Sequence, residues 1–190
     1  MLKKTETYHK LITAAAACFA EKGFSATSVR EISIRAGISQ GAMYTYFKSK
    51  DDLIKAIVLE EQNSALIGHN TPSGGTYFDR LCTQVTSCIS DVGYPVTHRL
   101  WVEIIAESAR NPELQKTYIS SDIIMRKSIA GIITEGIAAG EFRRNINLEE
   151  ITIILFAFID GLIARKAINA SFSISHDLPM FFELMSKLLN

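Results

Sequence analysis

The chain is 190 residues long, with 47% hydrophobic and 21% charged residues, which excludes a mainly disordered polymer and leaves room for one good core or a small module joined to a larger one. Its formal net charge is +0, yet residues 1–50 hold 8 Lys/Arg against 3 Asp/Glu (8 − 3 = +5) and the other 140 hold 12 against 17 (12 − 17 = −5). A uniformly basic protein is thereby excluded; a basic head that meets a polyanion and an acidic body with another task is the pattern that fits.

Apolar residues recur at helical spacing almost throughout, and no sustained alternation marks a half-buried strand, so the predicted class is all-α with about nine helices. The first helix is predicted over 7–22, with Leu11, Ile12, Ala15, Cys18 and Phe19 on one face, and Gly23 suits its left-handed end. Thr27 or Ser28 can cap a second helix over 29–36, with Ile32 and Ala36 inward and Arg30, Glu31 and Arg35 mostly outward. Gly37 breaks the chain, Ile38 plugs into the core, and Ser39 caps a short third helix ending near Phe47. The run S-K-D-D at 49–52 opens a fourth helix, to about Ile67, and GHNTPSGG at 68–75 reads as a loop. Further helices are predicted over 77–92, 95–110, 112–139, 148–170 and 177–189. The head is thus residues 1–49, the fourth helix a connector, and 68–190 the body.

Two helices joined by a tight glycine-bearing turn form the helix-turn-helix unit, whose second helix enters the DNA major groove. Val29 to Phe47 fits that unit. Gly41 and Ala42 give clearance where backbone nears DNA, Met43 and Phe47 anchor the reader, and Gln40, Tyr44 and Thr45 project outward. Hydroxyls can donate to phosphate oxygens and Gln can read adenine. Lys48, Lys50 and the amides opening the fourth helix suit phosphate, and Arg30 is the candidate guanine contact. On residues alone, a compact three-helix module with no DNA partner stays open.

The segment TSVREISIRAGISQGAMYTYFKSKDDL, Thr27 to Leu53, together with A-A-x-x-x-F-A-E-K-G-F ending at Phe24, resembles the N-terminal signature of TetR-family transcriptional regulators. The one noted departure is Ser33, where the family favours Ala. The resemblance implies that Thr27, Arg30, Ser39, Gln40, Tyr44, Thr45 and Tyr46 meet bases or backbone and that Lys48 and Lys50 clamp phosphate; Ser28 and Gly41 complete the predicted DNA surface. It further implies a homodimer on a palindromic double-stranded DNA operator, most simply a repressor released by a small-molecule effector that the sequence does not identify.

In the body, the segment 148–170 is apolar on nearly every side, so it should be buried on the core and against a partner subunit. The predicted dimer residues are Ile154, Phe158, Gly161 and Leu162, joined by Phe181, Met185 and Leu188 of the last helix in a four-helix contact. A monomer whose last two helices cap the core is the alternative. The candidate effector residues are Phe78, Cys82, His98, Trp101, Glu103, Ile104, Tyr118, Met125, Phe156 and Asp160, an aromatic set whose acids would suit a cationic or amphiphilic compound. The same stripe can instead be plain core.

Met1 to Lys10 is polar rather than a leader, and the longest apolar run, 151–164, is short of the ~20 residues that span a bilayer, so a cytoplasmic protein without a membrane segment is expected. Cys18, Cys82 and Cys88 lack disulfide or zinc spacing and read as free thiols, with redox sensing by Cys82 or Cys88 left open. No metal, cofactor or catalytic motif is found, which disfavours an enzyme. A helical protein-interaction module is the competing reading, but it leaves the basic head without a purpose.

Overall fold

The computed structural model describes residues 2–69 and 74–190, and among these every regular element is a helix. There are ten: α1 (Leu2–Lys22), α2 (Val29–Ala36), α3 (Gln40–Tyr44), α4 (Lys50–His69), α5 (Tyr77–Ser90), α6 (His98–Ser108), α7 (Pro112–Ala138), α8 (Leu148–Ile168), α9 (Ile174–Asp177) and α10 (Pro179–Leu189). Of the predicted loop over 68–75, residues 70–73 lie outside the described residues, while α4 continues through Gly68 and His69.

Boundaries differ from the sequence reading where local hydrogen bonds decide them. α6 starts at His98 rather than Pro95, because the Thr97 side chain accepts from the Leu100 amide and sets the cap there. The predicted last helix is preceded by a separate turn, α9, which Ser173 caps, and Pro179, having no N–H to offer, opens α10. The reader helix closes early: Thr45 is its C-cap, and the Tyr46 and Phe47 amides both donate to the Met43 carbonyl.

In the head, Leu11, Ile12, Ala15 and Phe19 of α1 are buried and α1 packs on α2, α4 and α6. Met43 and Phe47 are buried in the same core, each worth roughly 1.5–3 kcal/mol relative to exposure. Gly37 sits at φ 68, a left-handed conformation that a side-chain-bearing residue rarely adopts, and it turns the chain between α2 and α3. α4 leaves the head and packs along α7, while α5, α6, α7 and α8 form the body. No helix among the described residues is long and apolar enough to cross a membrane.

α8 is not buried on all sides within the chain. Ile151, Leu155, Ile159 and Ile163 face the core, while Ile153, Ile154 and Phe158 are exposed. In α10 the inward residues are Phe181, Met185 and Leu189; Met185 and Phe181, both predicted at the dimer face, are buried within the chain itself, and Met180 and Leu184 stand exposed instead.

Candidate nucleic-acid interface and effector cavity

α2 is set by a complete capping box: Ser28 Oγ accepts from the Glu31 amide at 3.2 Å, and the Glu31 carboxylate accepts from the Ser28 amide at 2.9 Å. Ser39 Oγ accepts from the Ala42 amide at 3.1 Å and fixes the start of α3. On and around these capped helices Ser28, Arg30, Ser39, Gln40, Gly41, Tyr44, Thr45 and Lys48 are exposed, and Tyr46 is half-buried. Gly41 has open space beyond its Cα, as a close approach of backbone to a duplex requires.

Charge on this surface is sorted by pairing. Glu6, Glu21 and Glu31 are matched with Lys10, Arg35 and Lys22. The side chains of Arg30 and Lys48 form no ion pair among the described residues, although the Lys48 amide donates to the Asp52 carboxylate at 3.1 Å, and both cationic groups are exposed to an external anion. The wide separation of head and body charge therefore resolves into a few free cations beside the reader.

Two predicted DNA residues have other work. Thr27 is buried; its hydroxyl donates to the Gly23 carbonyl at 2.8 Å and the Cys18 carbonyl at 3.2 Å, tying the α1–α2 turn together. Lys50 reaches inward, donating from Nζ to the carbonyls of Phe24 (2.6 Å), Ser25 (3.3 Å) and Thr27 (2.9 Å) and lying 4.3 Å from the centre of the Phe24 ring. The sequence pattern does not say which way either side chain turns.

In the body, a small cavity of ≈ 60 Å³ is walled by α4, α5, α6, α7 and α8. Of the predicted effector residues, Trp101, Met125, Phe156 and Asp160 line it. Asp160 accepts from Trp101 Nε1 at 2.9 Å and from the Tyr118 hydroxyl at 3.3 Å, so Tyr118 supports the wall from behind. Burial pushes the Asp160 carboxyl up from its ordinary range, and these two donors pull back.

The other predicted effector residues lie elsewhere. Ile104 is wholly in the core, and Phe78 and Cys82 sit on α5 away from the cavity. His98 has its Nε2 2.9 Å from the Ile89 carbonyl. The Glu103 carboxylate instead accepts from the Phe24 amide at 2.5 Å and lies under Gly23, joining α6 to the head. Among described residues no cluster of His, Cys, Asp and Glu could hold a metal ion.

The sequence reading misses Glu61, which is buried and lines the same cavity as Asp160. Burial first, and the charge of Asp160 second, push its carboxyl up to about 7. A signal for it exists: Ile54, Ile57, Val58, Glu61 and Ala65 recur at helical spacing, so a carboxylate falls on the apolar stripe of α4. Gly93 closes the wall against the Glu61 turn of α4, where a Cβ would lie 2.8 Å from the Glu61 carbonyl oxygen. Burial also drives the Cys88 thiol up to about 12 and Cys82 up to about 11, which keeps both protonated and works against the redox alternative.

A third feature is an open groove of apolar and charged residues between α8 and α10, lined by Phe158, Leu162, Met180, Phe181, Leu184 and Lys187 among others. Gly161 faces open space on the same helix.

Comparison with known proteins agrees with this layout. Residues 11–57 match the model described as bacterial regulatory proteins, tetR family, and residues 79–175 match that of the BetI-type transcriptional repressor C-terminal region. The chain is 30% identical over 159 residues to the HTH-type transcriptional regulator UidR of Escherichia coli strain K12, covering 83% of this chain and 80% of that protein. Among solved structures, Salmonella enterica GusR superposes with a TM-score of 0.80 at 29% identity, covering 96% of this chain and 95% of that one. The regulator FadR from Bacillus subtilis, solved in complex with stearoyl-CoA, shares the fold with a TM-score of 0.79 at 21% identity, covering 96% of this chain and 100% of that one.

Proposed function

The chain belongs to the TetR family of bacterial regulatory proteins and is a DNA-binding transcriptional regulator, and we propose that it acts in the cytoplasm as a homodimeric repressor that a small molecule releases from a palindromic operator. The observation that carries this reading is the exposure of Arg30, Gln40, Tyr44, Thr45 and Lys48 on capped α2 and α3, with the Arg30 and Lys48 side chains in no ion pair among the described residues while Lys10, Lys22 and Arg35 are each held by a glutamate. Residues 1–49 form the reading head, α4 the connector and 68–190 the body. Arg30 and Gln40 read base edges; Ser39, Tyr44, Thr45 and Lys48 hold the backbone.

The dimer forms through the exposed apolar faces of α8 and α10, chiefly Ile154, Phe158, Leu162, Met180 and Leu184, with Gly161 and Leu188 at the contact. A two-fold dimer would place two reader helices about 34–36 Å apart on successive major grooves.

The body cavity is the effector site, and two helices link it to the head. α4 carries Lys50 and Asp51 at the head end, where Asp51 accepts from Asn111 Nδ2 at 2.6 Å, and Glu61 at the cavity. α6 carries Trp101 at the cavity and, two residues on, Glu103 against the head. An effector that favours a displaced α4 or α6 changes the spacing of the two readers; moving most of the population requires a preference of about 3–5 kcal/mol between the two states. FadR shows that this fold houses a stearoyl-CoA; here the cavity is far smaller than the roughly 300–1,000 Å³ of drug-sized sites.

Selection from a randomised duplex pool tests the reading. An enriched inverted repeat, bound by two copies of the chain, is the expected result; recovery of unenriched sequence at moderate salt would favour the interaction-module alternative.

A further inference from the structure

Resting on the effector-site reading above, we infer that the cavity takes a compact organic cation of the alkylammonium class, held between the carboxylates of Glu61 and Asp160 and against the ring of Trp101. The lining contains three acids, Glu61, Asp91 and Asp160, and no Lys, Arg or His. Asp91 is exposed, at the rim, where it draws a cation toward the opening. Asp160 is already met by two donors, from Trp101 and Tyr118. Glu61 is only 6% exposed and no donor reaches its carboxylate among the described residues. A buried carboxylate left without a partner is costly, and a group that supplies both charge and donors removes that cost.

The remaining wall favours the same class. Trp101, Phe156 and Met125 offer an aromatic and thioether surface on which an alkyl chain packs and a cation is attracted by the ring face. Lys166, which shares α8 with Asp160, does not compensate the acids, because its Nζ donates to the Ser90 carbonyl at 2.5 Å and lies 3.4 Å from that of Ile89. With no cation present, burial lets Glu61 keep its proton up to about pH 7. A cationic ligand displaces that proton, so binding tightens as pH rises. The groups facing this pair from the surrounding helices are Cys88 and Asp91 at α5, and Tyr118 and Asp122 on α7, with Asp122 paired to Arg126 at 2.8 Å.

The sole tryptophan of the chain reports on this site. The full-length protein in sodium phosphate is titrated with tert-butylammonium, tert-butanol and trimethylacetate, three solutes of similar branched shape and different charge, while Trp101 emission is followed. The expected result is a saturable change with tert-butylammonium, at least about tenfold tighter than tert-butanol and tightening from about pH 6 to about pH 8. Glu61→Gln should weaken it by about tenfold or more, and Asp160→Asn should do the same. Equal or tighter binding of tert-butanol or trimethylacetate, undiminished ammonium binding in folded Glu61→Gln, or no saturable change with tert-butylammonium overturns the assignment. A mobility shift with the selected operator on the same preparation separates the two levels. An intact operator complex with no ammonium binding removes only the ligand class, whereas a missing complex removes the regulator reading.

Discussion

Glu61 shows how one buried side chain couples stability to pH. Its carboxyl rises from 4.5 to about 7 in the fold, which at about 1.4 kcal/mol per unit corresponds to roughly 3 kcal/mol. The folded state holds the proton more firmly than the unfolded state, so this group's favourable contribution is complete below about pH 4.5 and is lost as pH rises through about 7. Glu61→Gln, permanently neutral, should therefore gain on the wild type by on the order of 2–3 kcal/mol between pH 4.5 and pH 8 in denaturant melts. A difference that does not change with pH would contradict the assignment. At the head, Thr27 and Lys48 separate two roles that the sequence motif merges. Thr27→Val should cost about 1–2 kcal/mol of stability, since its buried hydroxyl makes two bonds, and leave the salt dependence of DNA binding unchanged. Lys48→Ala should leave the melting temperature alone and lower the slope of log affinity against log salt by about one. Arg30→Ala should cost about 1–3 kcal/mol for the operator while leaving random DNA nearly unaffected, as a base contact would.

At the scale of elements, the all-α class, α2, α7 and the reader's place were legible because they rest on local chemistry. Ser28 with Glu31, Ser39, Gly37 and Asn111–Pro112 are caps and turns whose partners lie within a few residues. What local chemistry does not determine is the rotation of a long helix about its axis. α8 is apolar enough that every phase reads as buried, and the outward phase of Ile154 and Phe158 is decided by α5, α6 and α7 packing on its other side. Lys50 and Glu103 illustrate the same limit, since each is partnered by residues 23 to 79 positions away. The cavity was half legible: Trp101 and Asp160 stand out by residue type, whereas Glu61 is visible only once the register of α4 is compared with its apolar stripe. The bond from Phe24 N to Glu103 gives the α6–head link a measurable consequence. Glu103→Ala should speed hydrogen exchange of the amides around 23–28, by losing about 1–3 kcal/mol of local stability, and leave α8 amides unchanged. Uniform exchange behaviour across both regions would show that the bond does not tie α6 to the head.

For the whole molecule, the head and the body have complementary shortcomings when taken singly. One reader helix of five residues makes too few contacts for a specific site, and the body leaves Ile153, Ile154, Phe158, Met180 and Leu184 exposed. The proposed dimer would answer both, by covering the apolar face and doubling the bases read. Phe158→Glu with Leu184→Glu should convert a dimer to a monomer in sedimentation velocity while the helical content is kept, and operator affinity should fall at least about a hundredfold because one half-site carries less than half of the binding energy. The central claim, that this chain reads DNA sequence through α2 and α3, is tested most directly by an anisotropy titration of duplexes flanking its own gene against scrambled duplexes at two salt concentrations. The account predicts binding to a flanking duplex about a thousandfold or more tighter than to its scrambled counterpart, with both affinities falling as salt rises. Equal affinity for flanking and scrambled duplexes at both salts would contradict it.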